Sequence, residues 1–219
     1  MNELNNIQMQ KPFVLLLAFS MMMVSDFHSI GDLVLSSSLK NGTINAVSQI
    51  SFAYYFTGIV AQPLMIVSLI VLLFGVRKNC LLKKERITFG VIYSLWLLLE
   101  LVCSIYDIKY GYVVSHPELN NFSEELVQIA TVRGIANLFV ALVGGFFLSF
   151  FLFSKFRHSK NKLGVLSVII FFFTIIVSIL VKVLSIFFYP QLFMAVFILL
   201  MCIKSVAFVY MMTVDEALG

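Results

Sequence analysis

The sequence predicts an all-α, polytopic integral membrane protein in which six transmembrane helices form a single domain. Of its 219 residues, 61% are hydrophobic and only 12% are charged, whereas a soluble domain is about half apolar and about a quarter charged. A membrane-spanning helix needs about 20 mostly apolar residues to cross a hydrocarbon core of about 30 Å. Six segments meet this requirement and take up most of the chain: 12–35, 50–76, 87–110, 126–153, 165–188 and 191–213.

The first two segments each contain a feature that affects their interpretation. We expect segment 12–35 to be a retained span rather than a cleaved signal peptide, because it is long, contains Asp26 and lacks a small-x-small cleavage motif. In the second segment, Pro63 follows Gln62 in mid-span. Proline has no backbone N–H, and its ring clashes with a preceding carbonyl, so we predict a kink at this point.

The positive charges fall mainly in two loops and predict the orientation of the chain. Cytoplasmic loops retain an excess of Lys and Arg during insertion. The loops 36–49 and 111–125 contain a single basic residue, Lys40, so we predict that they are external and that both termini are cytoplasmic. The protein would then be a multi-pass protein of the plasma membrane or a bacterial inner membrane. Nine of the fifteen basic residues lie in the two loops predicted to be cytoplasmic: Arg77, Lys78, Lys83, Lys84, Arg86, Lys155, Arg157, Lys160 and Lys162.

These basic loops account for the net charge of +4. We interpret them as orientation signals beside anionic lipid rather than as a nucleic-acid surface, because neither loop interleaves its charges with aromatic side chains. Three cysteines and three histidines are scattered along the chain without a Cys-x-x-Cys or His-Glu-x-x-His motif. We therefore expect no metal, no cofactor and no disulfide framework. Several common enzyme motifs are also missing, although an enzyme stays an alternative.

Seven ionisable side chains lie toward the outer ends of the predicted spans. Such residues are costly in hydrocarbon, so they usually pair or face a wet interior. Counting 1.5 Å per residue from the predicted entry of each helix places them in one layer, where we predict a polar pocket. Glu100 and Arg133 come out at equal depth on consecutive spans, so we predict that they form an ion pair. The seven residues are Asp26, His28, Asp32, Glu100, Asp107, Arg133 and Lys182.

The polar residues in the spans leave several alternatives open. Small and hydroxyl side chains on the same helix faces favour helix packing, as at the small-xxx-small pair Ala141 and Gly145. We interpret His28 as hydrogen-bonded structure, with a proton relay as the alternative. We expect Lys204, in the inner part of the sixth span, to extend toward cytoplasmic headgroups. The charged layer is either a functional pocket or a clasp between helices.

No sequence motif in the chain identifies a function, so the functional prediction rests on the layer of seven ionisable residues. We predict a small-solute or ion transporter or channel, or the membrane subunit of a transport system. The alternative is an accessory, immunity, defence or sensor subunit whose basic loops dock a cytoplasmic protein. With so little of its mass outside the lipid bilayer, the chain is expected to act as a homo-oligomer or within a larger membrane complex.

Overall fold

The structure is a computed structural model that describes residues 12–28, 31, 47–79, 83–116, 122–158, 160–187 and 190–214. This part of the chain is all-helical and forms six rod-like helices. Five of them are long and apolar enough to cross a membrane, and the sixth is a shorter apolar helix. The chain is therefore a multi-pass membrane protein, as the composition predicts.

We number the six helices as spans in chain order. Spans 2 and 4 are each interrupted by one π-helical turn, at Thr57–Ala61 and at Ala141–Phe147. The spans are Pro12–His28 for span 1, Val47–Phe56 with Gln62–Asn79 for span 2, Lys83–Ser115 for span 3, Phe122–Val140 with Leu148–His158 for span 4, Lys162–Phe187 for span 5 and Pro190–Val214 for span 6.

The π-helical turn of span 2 lies where the sequence predicts a break. The backbone N–H of Gln62 bonds to the carbonyl of Thr57, five residues earlier. Pro63 follows at once and has no N–H to continue an α-helical ladder through this region. A π-helical turn is one way in which a helix accommodates such an interruption, and these turns are frequent at functional sites.

Spans 3 and 4 are antiparallel and keep one register along their whole length. Span 3 has 33 residues, which corresponds to about 50 Å at 1.5 Å per residue. From one contact to the next, the residue number increases on span 3 and decreases by the same amount on span 4. The contacts that fix this register are Glu85 with Lys155, Phe89 with Phe151, Trp96 with Gly144, Cys103 with Asn137 and Asp107 with Arg133.

Spans 2 and 3 approach closely because small residues lie between them. The Ser104 hydroxyl donates to the Gly58 carbonyl at 2.7 Å, and the Ser51 hydroxyl donates to the Gly111 carbonyl at 2.9 Å. A methyl group on Gly58 would lie 2.9 Å from the Ser104 carbonyl oxygen. Hydrogen bonds and small side chains hold helices together where lipid supplies no hydrophobic driving force.

Span 1 completes the bundle by packing between spans 2 and 6. The ring of Phe27 contacts that of Phe56 of span 2 in a tilted arrangement, with centroids 4.4 Å apart, and Ser205 of span 6 donates to the Ala18 carbonyl at 3.4 Å. The main apolar core draws residues from all six spans. Large apolar side chains such as Phe150 are exposed on the outer faces, as expected for surfaces in contact with lipid acyl chains.

One end of the bundle collects the basic residues. There Lys155 Nζ lies 4.0 Å from Glu85 Oε2 and links spans 3 and 4. Lys160 adopts a left-handed conformation, with φ of 57°, in the turn before span 5. We call this region the basic end. Its basic residues are Lys83, Lys84, Arg86, Lys155, Arg157, Lys160 and Lys162, together with Arg77 and Lys78, whose side chains lie outside the described residues.

Candidate functional site

A cavity of about 220 Å³ lies at the centre of the bundle and is bordered by all six spans. It can hold several water molecules or one small organic solute. Most of its wall is apolar and comes from residues such as Met65, Phe171 and Met201. The polar part of the wall consists of Ser25, His28, Glu100, Asn137, Ser178 and Lys204.

Glu100 supplies a carboxylate to this cavity at membrane depth. It is only 3% exposed, and its Oε1 accepts a 3.0 Å hydrogen bond from the indole Nε1 of Trp96. The two residues are four positions apart, so they share one face of span 3. Lys204 of span 6 also borders the cavity and interacts electrostatically with Glu100. The extension of Lys204 toward cytoplasmic headgroups stays a prediction beside this position on the cavity wall.

The second π-helical turn gives Trp96 its position. Ala141, Gly144 and Gly145 of this turn border the cavity. A methyl group on Gly144 would lie 2.7 Å from Cε2 of Trp96, which is closer than a carbon atom can pack. The indole therefore lies flat against a backbone without a side chain, and this placement aims its N–H at Glu100.

A second polar cluster adjoins the cavity toward the end opposite the basic end. Asp107, which is fully buried, lies at its centre. The ring Nε2 of His28 is 2.7 Å from Asp107 Oδ2, and the hydroxyl of Thr57 is 3.4 Å from the same oxygen. Arg133 Nε lies 3.5 Å from Asp107 Oδ1, within ion-pair distance. We call these four residues the Asp107 cluster.

Two tyrosine rings flank the guanidinium of Arg133. Its Cζ is 4.5 Å from the ring centroid of Tyr54 and 4.9 Å from that of Tyr110. The two rings also contact each other edge to face, with centroids 4.4 Å apart. Aromatic faces attract a cation more strongly where water is excluded. These rings therefore stabilise a positive charge inside the bundle alongside Asp107.

The structure gives Arg133 a different partner from the one that sequence counting selected. The predicted pair was Glu100 with Arg133, whereas Arg133 contacts Asp107 and Glu100 accepts from Trp96. Asp107 follows Glu100 by two helical turns on the same face. The counting assumed that span 3 enters the membrane at Ile87, but the helix begins at Lys83 and ends at Ser115. An assumed entry point therefore does not fix the register against span 4.

The remaining predicted site residues fall into three groups. Asp26 is half-buried with Oδ1 shielded from solvent, and it is not among the described residues that border the cavity. Asp32 lies outside the described residues, as does the side chain of Lys182, whose backbone belongs to span 5. Gln62 is fully buried beside Pro63, and its amide atoms have no hydrogen-bond partner among the described residues.

The hydroxyl residues of span 5 serve the helix itself. Ser167, Thr174 and Ser178 are buried, and each donates to a carbonyl of its own helix. These bonds satisfy the hydroxyl groups within span 5, while Ser178 also borders the cavity. Within the described chain there is no group of three His, Cys, Asp or Glu side chains arranged to hold a metal ion.

Sequence reasoning missed the two tyrosines beside Arg133 and the role of Gly144. A basic residue predicted at membrane depth is a signal to look for aromatic residues at the same depth on neighbouring spans, and Tyr54 and Tyr110 satisfy that condition. The requirement for glycine at position 144 follows only from the packing of Trp96. No protein-family model, curated protein or solved structure matches the chain.

Proposed function

We propose that this protein binds a small polar solute or ion in the central cavity and carries it across the membrane, alone or as the membrane subunit of a transport system. The observation that supports this function is a cavity of about 220 Å³, bordered by every span, with Glu100 and Lys204 on its wall. Ionisable groups at membrane depth commonly mark the pathways of substrates, ions or protons. Interrupted helices are also typical of transporter sites, and this cavity borders the π-helical turn Ala141–Phe147.

The orientation in this proposal follows the distribution of positive charge. The basic end faces the cytoplasm, and the Asp107 cluster lies toward the outside. The membrane would be a plasma membrane or a bacterial inner membrane. The chain would work there as a homo-oligomer or with other subunits.

Uptake into liposomes tests the proposal with three probes of different charge: radiolabelled glycine, L-lactate and rubidium ion. We expect liposomes containing the protein to take up at least one probe about tenfold faster than empty liposomes. Glu100→Gln should remove most of that excess, because the amide keeps the shape of the side chain and removes the charge that faces the cavity.

The matched control is Glu85→Gln, which makes the same chemical change on the same helix at the basic end, away from the cavity. Its uptake should equal that of the unaltered protein. Trp96 is the only tryptophan in the chain, so its fluorescence gives a second measure of solute binding. If no probe enters and none changes the Trp96 emission, the transport proposal fails and an accessory membrane subunit takes its place.

A further inference from the structure

His28 joins the cavity to the Asp107 cluster. Its ring borders the cavity, while Nε2 lies 2.7 Å from Asp107 Oδ2. Both side chains are buried, at 5% and 0% exposure. In the tautomer that donates Nε2–H to Asp107, the lone pair for a further proton is on Nδ1. A proton taken up by this residue therefore binds at Nδ1, on a ring that borders the cavity.

Acidic and basic side chains surround His28 in two pairs. Asp107 and Arg133 form an ion pair, and Glu100 and Lys204 both lie on the cavity wall. Protonation of His28 adds one positive charge to this wall. The other described titratable or charged groups near it are Asp26 on span 1, Tyr54 on span 2 and Tyr110 on span 3, while span 5 contributes Ser178 to the wall.

We propose that the cavity takes up a small monovalent carboxylate together with one proton, and that the proton binds at Nδ1 of His28. This inference rests on the proposed transport function and names its substrate class. An anion alone would bring a net charge into a region of low dielectric, which is costly. With the proton on His28, loading the anion adds no net charge to the cavity, and release of both returns the imidazole to its neutral form.

Linkage makes the coupling measurable in both directions. If the proton raises the affinity of the cavity for the anion by some factor, the anion raises the affinity of His28 for the proton by the same factor. The two binding events therefore support each other. Asp107 acts as a positioning residue, because it holds Nε2 and leaves Nδ1 for the proton.

Uptake of radiolabelled L-lactate into liposomes, with empty liposomes subtracted, is the first test. An imposed pH gradient, with the outside more acidic by about one unit, should raise the steady-state accumulation of L-lactate inside the liposomes up to about tenfold if one proton accompanies each anion, because one pH unit is equivalent to a tenfold concentration ratio. His28→Gln should lose this dependence on the gradient. The control His116→Gln/His158→Gln replaces the other two histidines of the chain, of which His116 is half-buried and His158 is exposed, and should keep it.

Nuclear magnetic resonance of ring-labelled histidine is the second test, and it leaves His28 in place. In the His116→Gln/His158→Gln protein, His28 is the sole histidine, so its ring signals are assigned without ambiguity. We expect the nitrogen signals of the ring to move toward those of the protonated form when L-lactate is added at fixed pH, because anion and proton support each other's binding. Asp107→Asn should alter the tautomer that the nitrogen shifts report.

The outcomes separate this inference from the proposed function. The inference would be overturned if uptake of L-lactate were independent of the pH gradient. It would also be overturned if the His28→Gln protein kept the gradient dependence. His28 ring signals that do not respond to L-lactate would also overturn it. Glycine or rubidium uptake that persists in those cases leaves the transport function standing. If His28→Gln does not fold, as judged by gel filtration, the nuclear magnetic resonance titration alone decides.

Discussion

Arg133 lies beside Asp107, with 3.5 Å between Nε and Oδ1, and the two residues come from consecutive antiparallel spans. The carboxylate is fully buried, and the guanidinium is flanked by the rings of Tyr54 and Tyr110. Few water molecules can reach this position to compensate either charge. Removing only one of the two side chains is therefore expected to destabilise the protein strongly.

Removing either charge of this pair should destabilise the protein. We expect Arg133→Gln and Asp107→Asn each to lower the free energy of unfolding by about 3 kcal/mol, since each removes one side of an ion pair inside the bundle. The double variant should recover part of the loss in a double-mutant cycle measured by denaturant unfolding in bicelles. The same cycle with Glu100→Gln and Arg133→Gln should give a smaller interaction energy. A larger one would restore the pair that sequence counting selected.

Gly144→Ala should disturb the packing of Trp96. The added methyl group would lie 2.7 Å from the indole, and overpacking of this kind typically costs about 1 to 3 kcal/mol. The matched control is Gly134→Ala on the same span, where an added methyl meets no atom within 4 Å. That change should be neutral or stabilising by up to about 1 kcal/mol, because alanine favours the helix. Thermal unfolding of both variants checks this prediction, and equal melting temperatures would contradict it.

The orientation can be tested with two cysteines on span 4. Glu124 and Arg157 are both exposed and lie at opposite ends of this span. In a background with Cys80→Ser, we expect Glu124→Cys to react with a membrane-impermeant maleimide in sealed cells, because the basic end faces the cytoplasm. Arg157→Cys should react only after the membrane is permeabilised. The opposite pattern would reverse the orientation.

The positions of the spans could be predicted because hydropathy reports directly on lipid contact. The segment predicted at 126–153 lies within the candidate span Glu124–His158, and the segment predicted at 87–110 lies within Lys83–Ser115. The helices extend past the predicted ends because charged and polar residues continue the helix beyond the hydrocarbon. The part of the first segment beyond His28 lies mostly outside the described residues.

The partners of the buried charges could be predicted only in part. Counting residues along a helix gives a depth, and it correctly suggested that several ionisable residues lie near one another, as His28, Asp107 and Arg133 do. It does not give the register between two helices, which depends on side-chain packing along their full length. Contacts along both helices set that register, and one of them, Trp96 with Gly144, depends on a glycine whose role the sequence alone does not reveal.

The hydrogen bond from Ser205 to the Ala18 carbonyl joins residues that are 187 positions apart. Of the six described spans, span 1 leaves the ribosome first and span 6 last. Helices insert in the membrane before they pack against one another, so span 1 acquires its second neighbour only after span 6 has been synthesised. His28 can bond to Asp107 only after a further 79 residues have been synthesised. During that interval an imidazole and the carboxylate of Asp26 are exposed to lipid or to the insertion machinery at an energetic cost. A chain truncated before span 6 would keep this exposed face, so we expect it to be degraded by membrane proteases rather than to accumulate.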